Sequence, residues 1–146
     1  MQRPSTVPSD WKRTEVADEF VFYMPADMKT DTEMDLADTY GPGDFYASAQ
    51  LRWNYQYATV DLCAAPPDLL SKDSTYRETE FDVGGKSAKG YTWTSRASGN
   101  HFIIGCLSDI DGSGTYLHMG AFSKDERALD VARQIFASIQ FRKGAT

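Results

Sequence analysis

The only thiols in this sequence are Cys63 and Cys106, and the only imidazoles are His101 and His118. The cysteine spacing matches no zinc pattern, because such sites need their ligands in clusters. Both cysteines lie in apolar, strand-like segments. They are therefore either two buried thiols or a single disulfide between neighbouring strands, the second of which requires an oxidising compartment. No serine or cysteine has a base beside it in a recognised motif, and the G-x-S-x-G elbow is absent. A nucleophile and base drawn together from separate segments stays open as a small hydrolase. No catalytic residue, metal ligand or cofactor is expected from the spacing.

Two acidic groups have the composition of cation sites. Asp109-x-Asp111-x-Ser113-Gly114 resembles the start of a calcium-binding loop. The bidentate glutamate needed at its twelfth position is Gly120, and a strand follows where a helix should. It reads as a hairpin turn built from turn-forming residues. Asp31, Glu33, Asp35 and Asp38 would suit a cation or a basic partner, but such a run is more often simply a solvated edge that discourages strand pairing.

Aromatic side chains are the stronger lead, with 3 Trp, 8 Tyr and 8 Phe in 146 residues. Trp53, Tyr55 and Tyr57 alternate on one side of a long strand-like segment, and Tyr91 and Trp93 alternate on another. Adjacent, these five would form an amphipathic surface of the kind enriched at protein interfaces. Alternatively they pack as core, which the polar Arg52, Asn54 and Gln56 on the other side favour. Buried Tyr and Trp need polar partners, which favours a surface.

The elements that must hold these residues follow from periodicity. Val16 to Met24 reads as a first strand, stopped by Pro25. Tyr40-Gly41-Pro42-Gly43-Asp44 is a turn, and Phe45 to Leu62 alternates as one long strand or a bent pair. Tyr76 to Val83 and Lys86 to Ser95 flank Gly84-Gly85, a hairpin signal. His101 to Leu107 and Thr115 to Phe122 are further strands. Ser123-Lys124-Asp125-Glu126 has the form of a capping box. Ala128, Leu129, Ala132, Ile135, Phe136 and Ile139 then recur at helical spacing, predicting a helix from about Lys124 to Ser138. Strands followed by one amphipathic helix give an α+β fold: an antiparallel β-sheet with a C-terminal helix packed on one face.

The length suits one domain, taken as residues 13–146 behind a flexible polar tail at 1–12. A net charge of −6 and the lack of a basic run argue against nucleic acid as partner. No segment approaches the roughly 20 apolar residues of a membrane helix. The polar, Pro-rich start fits either a cytoplasmic chain or an exported one whose signal has been replaced and whose tail tethers it to a membrane.

Three stretches also resemble a known family: Phe20-Val21-Phe22-Tyr23-Met24-Pro25-Ala26-Asp27-Met28, then Phe81-Asp82-Val83-Gly84-Gly85-Lys86-Ser87-Ala88, then Ala128 through Ser138-Ile139-Gln140-Phe141. They look like the marks of the PsbP-like fold. That fold is shared by a photosystem II extrinsic subunit, a yeast Ran-binding nuclear import factor and many small bacterial lipoproteins. The resemblance spans most of residues 16–142. It implies an antiparallel sheet with helices on its faces, and binding or assembly rather than catalysis. It assigns no functional residue and no ligand, because the family's partners are unrelated to one another. The expectation is a non-catalytic protein- or peptide-binding module, the soluble part of a bacterial envelope protein. The alternatives are a cytoplasmic chaperone or immunity-type partner of a secreted protein, and the small hydrolase.

Overall fold

Two antiparallel sheets, the larger built largely on alternating buried and exposed positions and the smaller around a wholly buried strand, make up the computed structural model, which describes residues 3–16, 19–31, 43–59, 63, 66 and 68–142. In the smaller sheet, β1 (Lys12–Val16) and β10 (Gln140–Phe141) flank β2 (Phe20–Met24). The larger sheet begins with β3 (Lys29–Thr30), β4 (Gly43–Ala47) and β5 (Arg52–Ala58). After a single helical turn, α1 (Asp68–Ser71), come β6 (Arg77–Val83), β7 (Lys86–Thr94), β8 (His101–Leu107) and β9 (Tyr116–Ser123). Its spatial order is β3-β4-β5-β9-β8-β7-β6. Helix α2 (Ala128–Ala137) and the smaller sheet lie together on one face of the larger sheet, with α2 packed on β6, β8, β9 and β2. The fold is therefore α+β, with the C-terminal helix on one sheet face.

The helical stripe is the core contact. Ala128, Leu129, Ala132, Ile135, Phe136 and Ile139 are all buried. Opposite them lie Phe20, Phe22, Trp53, Ile103, Leu117 and Met119, all nearly inaccessible to solvent. The helix starts later than the capping box predicts. Ser123 ends β9, and its Oγ accepts from the Asp125 N–H at 3.0 Å, not from Glu126. Asp125 in turn accepts from the Arg127 N–H at 3.0 Å. The intervening residues form a turn, with Ala128 N–H donating to the Asp125 carbonyl at 3.0 Å.

Two expectations are corrected. Residues 16–24 are not one strand: the chain reverses after Val16, with Glu19 N–H donating to the Val16 carbonyl at 3.0 Å, so β1 and β2 form a hairpin. Residues 3–12 are not a free tail. Turns closed by Val7 N–H on the Pro4 carbonyl and by Trp11 N–H on the Pro8 carbonyl fold the segment back. Val7 and Trp11 are buried in the common core, Lys12 opens β1, and the Arg3 guanidinium sits 4.6 Å from the centre of the Tyr23 ring. Two apolar side chains among the polar ones are enough to dock it.

Ser138 locks the helix end to β2. Its Oγ accepts from the buried Tyr23 N–H at 2.8 Å and lies 2.6 Å from the Ile135 carbonyl, to which it can donate. Ser138→Ala leaves the Tyr23 amide buried without this acceptor, and a buried orphan donor costs about 1–3 kcal/mol. The expected result is a loss of that size in urea unfolding, with the denaturant slope unchanged; a change below about 0.5 kcal/mol would mean water replaces the hydroxyl.

Candidate functional site

Which sheet face a side chain occupies depends on register between strands. Trp93 lies opposite Phe102, Phe102 opposite Phe122, and Phe122 opposite Arg52. One row along, Tyr91 faces Ile104, Ile104 faces Gly120, and Gly120 faces Asn54. The next row runs Lys89, Cys106, His118, Gln56. Tyr91 and Trp93 therefore share a face with Arg52, Asn54 and Gln56. Trp53, Tyr55 and Tyr57 point the other way, towards α2 and the smaller sheet.

The five aromatic residues thus divide into two groups. Trp53 and Tyr55 are core, 1% and 4% exposed. Trp53 stacks on Tyr46 at 5.0 Å and meets Phe22 edge-on at 5.0 Å. Burial pushes the Tyr55 phenol up to about 12 and that of Tyr46 higher still, so both stay neutral. Tyr57 is half-buried at the margin, 5.5 Å from the Phe20 ring, and donates to Glu19 Oε2 at 3.1 Å. Only Tyr91 and Trp93 reach the outer face, as part of a longer row. Tyr76 lies 5.6 Å from Tyr91, Tyr91 5.6 Å from Trp93, Trp93 4.4 Å from Phe102 in near-parallel stacking, and Phe102 5.4 Å from Phe122. All five rings are partly exposed. Sequence reasoning missed Tyr76, Phe102 and Phe122. The signal was the phase of Phe102 and Phe122 within their strands, which needs the register to be read.

Cys63 and Cys106 are joined by a disulfide with Cα atoms 5.5 Å apart. Cys106 stands on β8, whereas Cys63 lies beyond the end of β5 and not on a strand. The bridge walls a groove of about 900 Å³ over β6 to β9, lined among others by Tyr76, Tyr91, Ile104 and His118. Ile110 and Asp111 of the turn following β8 also line the groove: Asp109 Oδ1 closes the turn by accepting from Gly114 N–H at 2.7 Å, and Asp111 pairs with Lys86 at 2.7 Å. Both Asp109 and Asp111 adopt positive φ, as this turn requires. Of the acidic group near the chain's start, Asp31 lies 3.9 Å from the Arg52 Nε; Glu33, Asp35 and Asp38 fall outside the described residues.

Burial lowers the His118 pKa below its ordinary 6.5. Folding then favours the neutral ring, so its contribution to stability is complete above about pH 6.5 and is lost as pH falls through the folded-state value. Around it stand Cys106 and Gln56 in register, with Lys89, Lys86, Asp111 and Glu78 also on the groove wall. His118→Gln is expected to flatten the decline in melting temperature below pH 6.5 and leave the curve above pH 7 parallel to wild type. Parallel curves throughout would remove His118 from the account.

Taken together, the described residues define an α+β fold of antiparallel sheets whose larger sheet carries partly exposed stacked rings and a groove on the face away from α2. No protein-family model and no curated protein matches the sequence. Among solved structures, the fold is similar to that of a crystallised protein from Bacteroides thetaiotaomicron VPI-5482, with a TM-score of 0.57 at 10% identity over 87% of this chain. The likeness is one of fold alone, and the match takes in 46% of that protein's length. No helix among the described residues is long and apolar enough to cross a membrane.

Proposed function

We propose that this chain is a non-catalytic binding module on a PsbP-like sandwich, the soluble part of a bacterial envelope protein. It takes a protein or peptide on the outer face of the larger sheet. The observation that carries this is the row Tyr76, Tyr91, Trp93, Phe102 and Phe122: five rings in mutual contact, partly exposed, on the face opposite the helix. Aromatic anchors held rigid by a sheet lose little entropy on binding and bury large area, which is why interfaces favour them. Glu78, Glu80 and Asp82 line the neighbouring edge strand and would tune the partner's charge. The family likeness is supported by the way its three marks meet. Ser138 holds Tyr23, and a Cβ on Gly84 would stand 2.5 Å from the Ile139 carbonyl.

A displayed random-peptide library panned on the folded protein tests this. Enrichment of aromatic or apolar peptides that is lost on the Tyr91→Ala, Trp93→Ala double variant supports the outer face. No enrichment over background, or enrichment that survives the double variant, counts against it.

The hydrolase alternative gains one observation: His101 Nδ1 lies 2.8 Å from Thr94 Oγ1, a hydroxyl-imidazole pair. Turnover of activated esters that disappears in both Thr94→Val and His101→Gln would promote that reading over binding.

A further inference from the structure

We propose that the Cys63–Cys106 disulfide is a redox-active site, open to thiol–disulfide exchange with an external thiol in the folded protein, with Cys106 as its stabilised thiolate. The geometry that points there is one row of the outer face. Cys106 on β8 stands directly opposite Lys89 on β7 and directly opposite His118 on β9. Cross-strand neighbours on one face have Cβ atoms about 4.5–5.5 Å apart, so the Lys89 and His118 side chains spring from either side of Cys106, within reach of its sulfur. Both cysteines and both flanking side chains line the 900 Å³ groove, which gives a small thiol a route to the bridge. This rests on a different observation from the binding reading and stands or falls separately.

Lys86, the other cation of the groove, is held by Asp111 at 2.7 Å. Lys89 has no ion pair among the described residues. The charges that oppose it are Glu80, directly across on β6, and Glu78, one residue pair further along; both are exposed. Lys89 is therefore free to stabilise a negative sulfur, as cations do at reactive cysteines. The His118 ring, kept neutral by burial, is a proton acceptor beside the same thiol.

In exchange, the thiolate of lower pKa leaves faster. An incoming thiolate RS⁻ attacks the Cys63 sulfur and forms an RS–Cys63 bond as the Cys63–Cys106 bond breaks. Cys106 leaves as the thiolate beside Lys89. A second thiol then attacks the sulfur of R, forming RSSR and releasing Cys63 as a thiolate that takes up a proton. Two thiols are oxidised for one protein disulfide reduced. The co-reactant class is a small or protein thiol; the probe is glutathione.

The wild-type protein is incubated with reduced glutathione at pH 7 without denaturant, acid-quenched, alkylated and weighed, with near-UV circular dichroism recorded in parallel. The expected result is reduction while the native signal persists, with the trapped glutathione adduct on Cys63. Reduction that proceeds only at the rate of global unfolding makes the bridge purely structural and overturns the proposal. An adduct on Cys106 overturns its role as leaving thiolate. In Cys63→Ser, iodoacetamide alkylation of Cys106 is expected to titrate below the usual thiol value of about 8.5. Lys89→Met should raise that midpoint and slow alkylation at pH 7 by roughly 3- to 10-fold. An ordinary midpoint, or one that Lys89→Met leaves in place, refutes the Lys89–Cys106 pairing.

Discussion

Trp53→Ala is expected to lower the free energy of unfolding by about 3–5 kcal/mol, the range for removing a buried large aromatic. The ring is 1% exposed and enclosed by Tyr46, Phe22, Tyr55 and Phe136, with centroids 5.0 to 6.2 Å away. Little can move in to fill the space, because those neighbours are themselves packed against β2 and α2. One detail sharpens the test. The Trp53 indole N–H is buried with no acceptor among the described residues, so the residue carries a desolvation cost of about 1–3 kcal/mol alongside its packing gain. Trp53→Phe, which discards the N–H and keeps a ring, should therefore lose much less than Trp53→Ala. Trp93→Ala, on the outer face, loses mainly its stacking on Phe102, about 0.5–1.5 kcal/mol. Urea unfolding of the three variants with an unchanged slope would rank them in that order. A Trp93→Ala loss equal to that of Trp53→Ala would mean that the outer face is covered and is not a binding surface.

That contrast between two tryptophans also shows what the sequence could and could not reveal. Period 2 places Trp53, Tyr55 and Tyr57 on one side of their strand, and Tyr91 and Trp93 on one side of theirs, and both groupings hold. It does not relate the phase of one strand to another. Three registers separate β5 from β7, through β9 and β8, and a shift of one residue in any of them moves every side chain to the other face. The Gly84-Gly85 hairpin was legible because its two positive φ angles, 61° and 84°, admit glycine almost alone. The apolar stripe of α2 was legible because its period fits no strand. The docking of residues 3–11 was not, since it depends on Val7 and Trp11 finding a tertiary site within a Pro-rich segment. The disulfide was open for the same reason: nothing local brings Cys63, 43 residues away, to β8. The three stretches that suggested a family turn out to hold packing contacts at Tyr23, Gly84 and Ser138. Such contacts are structural and assign no function.

Gly105 carried a signal that periodicity alone passes over. A glycine inside an apolar strand often marks a close approach, and here the approach is the Phe81 ring. From β6 that ring reaches past its register partner Ala88 on β7 and lies over β8 at Gly105. A Cβ on Gly105 would fall 2.0 Å from Phe81 Cζ and 2.5 Å from its Cε1. The ring has little freedom to move, because Phe136 of α2 packs against it with centroids 5.5 Å apart. Gly105→Ala is therefore expected to cost about 3 kcal/mol, at the upper end of the usual overpacking range. Phe81→Leu removes the atoms that clash, so the double variant should be more stable than the sum of the two single losses by at least about 1 kcal/mol, well beyond the scatter of independent sites. Additive losses in a urea double-mutant cycle would show that Gly105 is needed for something other than the Phe81 ring. The same cycle bears on the groove. Ile104 and Cys106 flank Gly105 on the outer face, so any displacement of β8 that relieves the clash shifts the groove floor and the disulfide with it. Faster glutathione reduction in Gly105→Ala, restored by Phe81→Leu, would show that the core contact behind the sheet sets the geometry in front of it.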